Sequence, residues 1–119
     1  MDYFTLDDQN NVVPMADDVI AWAQEQERLR TTGRRIVAQE QIGPYFVSTV
    51  FLGLNHRFDF GGGPPLPPLV FETMVFCKRP ADPDKLGEDL YCDRYSTWMQ
   101  AVAGHDYAVG LARKGMPNE

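Results

Sequence analysis

The chain has 119 residues, of which 44% are hydrophobic and 24% charged, and its formal net charge at pH 7 is −6. This length and composition are typical of one globular domain that buries its core without a metal or a disulfide. The acidic balance argues against binding to a nucleic-acid backbone, while the lack of a long apolar run and of a secretory signal leads us to expect a cytoplasmic protein with no membrane contact.

The first third of the chain predicts a hairpin followed by a helix. In residues 3–13, the apolar runs "YFTL" and "VV" flank the turn-forming run "DDQNN", and Pro14 is expected to end the second strand. Residues 15–30 predict the helix, because apolar positions recur there at helical spacing. The expected inner stripe of this helix is Met15, Val19, Trp22, Gln26 and Leu29.

After residue 33 the apolar period changes from about four residues to two, which predicts strands. The runs "RRIVAQEQIG", "YFVSTVFLG", "LVFETMVF" and "LYCDRY" each read as one strand, and the short links between them favour antiparallel neighbours. In the first of these runs, Glu40 interrupts an alternation of apolar residues.

Residues 97–113 predict a second helix, with Ser96 or Thr97 as its N-cap. Its expected inner stripe is Trp98, Val102, His105, Val109 and Ala112. The fold class that follows is α+β: an antiparallel sheet of three to five strands with an N-terminal and a C-terminal helix packed on one face. Residues 1–113 form the single predicted domain, and residues 114–119 a flexible tail.

The segment 53–68 is open to two interpretations. It is either a long loop, of the kind that often carries function, or a continuation of the second strand, since Phe58 and Phe60 alternate with polar residues. Its glycines do not predict a phosphate-binding loop, because prolines without N–H groups and then a strand follow them. We expect these glycines, Gly61, Gly62 and Gly63, to form the rim of a binding site.

Polar residues on the predicted strands and the second helix suggest where that site lies. His56, Arg57, Glu72 and His105 are expected to form one polar cluster at an edge of the sheet, and Arg94 is a further candidate binding residue. A histidine in such a cluster could bind a ligand or transfer protons near neutral pH. In the competing interpretation, Glu72 pairs with an arginine outside the core and His105 stays buried on the opposite face.

Metal and cofactor chemistry is not predicted. Cys77 and Cys92 lie in no CxxC pair, and their spacing relative to the two histidines matches no zinc-finger pattern. The chain also lacks GxSxG, HExxH and P-loop motifs, so no catalytic residue is assigned and an enzyme is the less favoured class.

The runs "VSTVFLGLNHRFDFGGGPPLPPLVFETMVF" and "DRYSTWMQAVAGH" resemble a group of small uncharacterised proteins of bacteriophages and prophages. The resemblance covers about residues 45–110 and implies an accessory protein that acts in the bacterial host. Our first hypothesis is therefore a binding protein for a host protein or a small ligand, with counteraction of host defence as one such role. The alternatives are a small enzyme that uses a His/Glu cluster and a virion or assembly component. We also expect a homo-oligomer, most simply a dimer, because two helices cannot cover both faces of the predicted sheet.

Overall fold

The computed structural model describes residues 2–57, 66–78, 84 and 88–116. Its elements, in chain order, are β1 (Tyr3–Leu6), β2 (Val12–Met15), α1 (Val19–Thr31), β3 (Ile36–Ile42), β4 (Tyr45–Phe51), β5 (Phe71–Cys77), β6 (Asp89–Tyr95) and α2 (Trp98–Arg113). The strands form two antiparallel sheets, a β1-β2 hairpin and a four-stranded sheet in the order β3-β4-β5-β6. The predicted α+β class is confirmed. No helix in these described ranges is long and apolar enough to cross a membrane.

Helix α1 begins later than the sequence predicted. Pro14 and Met15 still pair with β1, so Pro14 does not end the strand. A two-stranded sheet has only edge strands, in which the missing N–H of proline is tolerated. The helix starts at Val19, where the Asp18 side chain accepts hydrogen bonds from two backbone N–H groups of the first turn.

The predicted packing of both helices on one sheet face is confirmed only in part. Helix α2 packs against all four strands of the larger sheet, whereas α1 packs chiefly on β1. The link from α1 to the main core is Leu29, which is fully buried together with Phe51 and Phe71. The hydrophobic core therefore lies on one side of the four-stranded sheet, under α2 and beside the hairpin.

The strand register decides which side chains point toward α2. On the covered face, the β4–β5 pairs are Val47–Val75, Thr49–Thr73 and Phe51–Phe71, and all six residues are fully buried. On the opposite face, the pairs are Phe46–Phe76, Ser48–Met74 and Val50–Glu72, and these six residues are only partly buried. We call this second side of the sheet the open face, because no helix or strand within the described ranges packs on it.

Residues 114–116, predicted as the start of a flexible tail, instead close α2. Gly115 has a φ of 80°, which few other residues adopt, and the Met116 N–H donates to the Leu111 carbonyl over 2.8 Å. The Met116 side chain is buried against Val75 and Ala108 in the core. The fold therefore continues past the predicted domain end at residue 113.

Candidate functional site

The structure separates the four residues that were predicted to form one polar cluster. His105 lies under α2 on the covered face, where its side chain contacts Thr49, whereas Glu72 projects from the open face. The sheet lies between them, so the single cluster does not exist. The competing interpretation is the observed one, because Glu72 pairs with Arg94 and His105 is buried with 3% of its surface exposed.

His105 instead belongs to a chain of hydrogen bonds that crosses the covered face. Its Nε2 lies 3.0 Å from Oε2 of Glu40, and its Nδ1 lies 2.7 Å from Oγ1 of Thr49. Oγ1 of Thr49 in turn lies 2.6 Å from Oγ1 of Thr73. We propose the order in which Nε2 of His105 donates to the Glu40 carboxylate, Nδ1 accepts from Thr49, and Thr49 accepts from Thr73.

The order carboxylate, imidazole, hydroxyl also occurs in nucleophilic catalytic triads, but the burial here excludes attack on a substrate. Thr49 and Thr73 are fully buried, and both heteroatoms of the threonine pair are occupied within the core. A substrate carbonyl could not approach Oγ1 of Thr49 without unpacking α2 from the sheet. The chain of hydrogen bonds therefore gives partners to buried polar groups, which is a structural role.

Glu40 is the member of this chain that sequence reasoning missed. It interrupts the apolar alternation of β3, and the register places it opposite Val47 on the covered face. Its side chain is 48% exposed at the edge strand, so the carboxylate remains hydrated while it reaches His105. A signal was available: a carboxylate in the row that faces a helix needs a partner there, and His105 was the polar residue on the predicted helix stripe.

Gly104, next to His105, allows α2 to approach β6. A Cβ atom at this position would lie 2.1 Å from Oη and 2.2 Å from Cζ of Tyr95. The Tyr95 ring fills the space where a side chain would otherwise be, and burial raises the pKa of its hydroxyl. The "GH" pair therefore serves the packing of α2 in two ways, by close approach and by the buried hydrogen-bond chain.

On the open face, Glu72 and Arg94 form an ion pair between neighbouring strands. They are directly opposite in the register, and Nε of Arg94 donates to Oε2 of Glu72 over 2.9 Å. This hydrogen bond raises the pKa of Arg94. The two side chains of the pair differ in solvent exposure: that of Glu72 is 13% exposed and that of Arg94 is 41% exposed.

Cys92 lies beside this pair, with its Sγ 3.7 Å from Oε2 of Glu72. Burial, and then the negative charge of Glu72, raise the pKa of the Cys92 thiol. The thiol is therefore protonated near neutral pH and is a poor nucleophile or metal ligand. Cys77 is buried on the other face, so the two cysteines and His105 do not converge. Within the described ranges, no group of three or more metal-ligating side chains occurs.

Arg57 and Arg94, two of the predicted binding residues, line one groove at the edge of the sheet. The groove has a volume of about 440 Å³, and we call it the arginine groove. Its lining residues are Arg57, Leu69, Arg94, Tyr95, Ser96, Gln100 and Ala103. Four of these seven belong to residues 95–103, where β6 leads into α2, so the groove lies at the β6 edge of the sheet.

Backbone and side-chain hydrogen bonds hold Arg57 at this groove. Oδ1 of Asn55 accepts from the backbone N–H groups of Arg57 and Leu69, at 2.9 and 3.0 Å, and so joins the two sides of the segment that was predicted as loop or strand. Nε of Arg57 donates to the Pro67 carbonyl over 2.8 Å. Sequence reasoning passed over Asn55, although an asparagine that tolerates turns is well suited to this task.

The remaining predicted site residues are His56 and the three glycines of the expected rim. His56 is exposed, and its backbone N–H donates to the Leu69 carbonyl over 2.9 Å. Gly61, Gly62 and Gly63, together with the predicted strand extension through Phe58 and Phe60, lie outside the described residues.

Comparisons with known proteins add no relative: no protein-family model, no curated protein and no solved structure matches the chain. The resemblance to small phage proteins therefore stays a prediction from the sequence.

Proposed function

We propose that this chain is a non-enzymatic binding protein whose ligand site is the arginine groove and which works as a homodimer. The observation that carries the proposal is the convergence of Arg57 and Arg94, from distant parts of the chain, on one groove. In the setting that the sequence resemblance implies, the protein acts in the bacterial cytoplasm, on a small ligand or on a group of a host protein. Counteraction of host defence is one role that such binding can have.

Electrostatics support the groove as the binding site. The chain carries a net charge of −6, yet both charged residues that line the groove are arginines. Each uses its Nε atom, on the Pro67 carbonyl or the Glu72 carboxylate, and no described residue accepts a hydrogen bond from their terminal nitrogens. Guanidinium groups at a concave surface are typical of sites for oxygen anions.

The buried polar chain favours binding over catalysis. His105 was the residue best suited to acid/base work, but it is 3% exposed and both of its nitrogens have partners in the protein. A general acid or base must reach the substrate directly or through one water. The enzyme alternative thus loses its most suitable residue.

The dimer is proposed from the open face. Four strands of seven residues span about 400 Å² at ordinary strand spacing, which is within the size range of the largest surface patch on a monomer, and such a patch is often functional. Its centre is apolar, with Phe46, Met74 and Phe76 each partly buried. A sheet face of this kind is stabilised when a second surface covers it.

A second copy fits this face because the charges on it balance. Arg94 pairs with Glu72, and Lys78 lies 4.8 Å from the ring centre of Phe46 at the end of the sheet where Asp89 pairs with Phe76. Among the described residues, these two positive and two negative groups balance, although the chain as a whole is acidic. Two copies can therefore stack across a two-fold axis without the repulsion that their net charge produces elsewhere.

Native mass spectrometry of the purified protein tests the dimer and also reveals any ligand that stays bound. We expect a dimer that Met74→Glu converts to a monomer, because the new charge lies at the apolar centre. Met99→Glu is the matched control, since Met99 is 82% exposed on α2. Ile20→Glu controls for the other exposed apolar residues, on α1. A wild-type monomer at tens of micromolar, or dissociation by Ile20→Glu alone, contradicts the proposed interface.

A thermal-shift panel of simple anions (phosphate, sulfate, acetate and benzoate) tests the ligand site. An anion at ten times its Kd stabilises the folded protein by about 1.4 kcal/mol, which raises Tm by about 5 °C for a domain of this size. We expect at least one anion to do so with the wild type and with the control Arg28→Gln, whose arginine is paired with Glu25 on α1. Arg57→Gln should abolish the shift. If no anion raises Tm in an Arg57-dependent way, the groove is not a binding site.

A further inference from the structure

We infer that the arginine groove recognises a carboxylate attached to an apolar or aromatic group. The inference rests on the proposed function and adds the chemical class of the ligand. It comes from three features of the groove: the geometry of its donors, its net charge and the apolar part of its lining.

The donors suit a planar acceptor with two oxygens. No described residue engages the terminal nitrogens of Arg57 and Arg94, and a guanidinium binds a carboxylate through two parallel hydrogen bonds. The Gln100 side chain lies beside these arginines in the groove lining and is held in a fixed position. Its Oε1 accepts from the backbone N–H groups of Ser96 and Thr97, at 3.1 and 3.2 Å, as part of the capping box of α2. That arrangement holds the side chain in place and leaves its Nε2 group as a further donor.

The charge of the described groove residues favours one negative charge over two. The two arginines carry two positive charges, and Glu72, bonded to Arg94, cancels one of them. A carboxylate neutralises what remains, whereas a doubly charged phosphate monoester leaves an uncompensated negative charge on a chain that is already acidic. The internal carboxylate of Glu72 also shows that Arg94 accommodates this group at hydrogen-bonding distance.

The rest of the lining suits the apolar body of such a ligand. Leu69 and Tyr95 are both partly buried, and Ala103 offers a small side chain on α2. A volume of about 440 Å³ is within the ordinary range for small-ligand sites. A free carboxylic acid and the C-terminus of a peptide present the same chemistry to this groove.

Titrations followed by two-dimensional NMR of backbone amides test the inference with benzoate, its neutral isostere benzamide, and phenyl phosphate. For benzoate we expect saturable shifts at Ser96, Gln100 and Arg57 with a Kd on the order of 1 mM, no such shifts with benzamide, and weaker binding of phenyl phosphate. Arg57→Gln should weaken benzoate binding at least tenfold, since a charge-assisted hydrogen bond is lost. Arg28→Gln should leave it unchanged. Hippurate and its C-terminal amide form a second arm, in which binding of hippurate tighter than benzoate indicates a peptide C-terminus as the source.

Glu72→Gln separates a ligand site from a merely structural ion pair. Removal of the competing carboxylate should strengthen benzoate binding severalfold, whereas loss of a structural contact would weaken it. Phenyl phosphate binding tighter than benzoate, or benzamide shifting the same amides equally, overturns the carboxylate assignment and leaves the groove itself in place. Absence of shifts with every probe overturns the groove as well.

Discussion

Thr49→Val and Thr73→Val should destabilise the protein unequally, because the two threonines hold different places in the buried hydrogen-bond chain. Both are fully buried and valine preserves their shape, so each substitution removes a hydroxyl group and little else. Thr49 lies between two partners, at 2.6 Å from Thr73 and 2.7 Å from His105. The one hydrogen bond observed for the Thr73 hydroxyl is the one that it shares with Thr49.

The magnitudes follow from the number of groups left without a partner. Thr73→Val removes one hydrogen bond and should cost about 1 kcal/mol. Thr49→Val removes two and leaves Nδ1 of His105 buried and unpaired, which should cost about 2 to 3 kcal/mol. Since 1 kcal/mol shifts Tm by about 4 °C for a chain of this length, the expected losses are about 4 °C and about 10 °C.

The double variant, Thr49→Val with Thr73→Val, tests whether the two hydroxyl groups are coupled. Once Thr49 is valine, the Thr73 hydroxyl has lost that partner, so adding Thr73→Val should cost nothing further or regain a few tenths of a kcal/mol. Urea denaturation followed by circular dichroism gives the free energy of unfolding of all four proteins. Additive losses, or a larger loss for Thr73→Val than for Thr49→Val, would refute the proposed order of donors and acceptors.

Three further predictions concern packing, thiol reactivity and metal. Gly104→Ala should lower the free energy of unfolding by about 1 to 3 kcal/mol, since its Cβ would displace the Tyr95 ring; a melting temperature equal to that of the wild type contradicts the close approach. Cys92 should react slowly with iodoacetamide at pH 7.5 and faster as the pH rises, because its raised pKa keeps it protonated. Glu72→Gln should accelerate this reaction by lowering that pKa, and an unchanged rate contradicts the coupling. We expect the fold to need neither a metal nor a disulfide, so the melting temperature should shift by less than about 10 °C with a chelator or a reductant. A larger drop contradicts this, because a structural zinc or disulfide contributes several kcal/mol.

The sequence predicted the elements that have a clear apolar period. In the paired strands β4 and β5, the alternation around Thr49 and Thr73 identifies which side chains face the helix, and the stripe of α2 predicts that His105 faces the sheet. The boundaries of the elements were harder to predict. Met15 has helical spacing from Val19, but its pairing with Tyr3 places it in β2. A periodic pattern in the sequence gives no information about the strand pairing in the folded protein, and that pairing can override the pattern.

The site was harder to predict because it depends on which face of the sheet α2 covers and on which residues meet at the edge of the sheet. Alternation showed that Glu72 and Phe71 point in opposite directions, but not that Phe71 is the one under α2. Arg57 and Arg94 were both selected as binding residues, and the structure places them at one groove. Their convergence depends on Asn55 and on the hydrogen bond from the Val70 N–H to the Tyr95 carbonyl at 2.9 Å, neither of which has a sequence pattern.

A crystal structure of the protein soaked with 4-bromobenzoate would show whether the arginine groove binds a carboxylate, because the anomalous signal of bromine locates the ligand without model bias. We expect one bromine peak per chain in the arginine groove, with carboxylate oxygens at hydrogen-bonding distance from the terminal nitrogens of Arg57 and Arg94. The peak should vanish in Arg57→Gln crystals of the same form. Bromine peaks only at lattice contacts or elsewhere on the surface, with an accessible groove left empty, would contradict it.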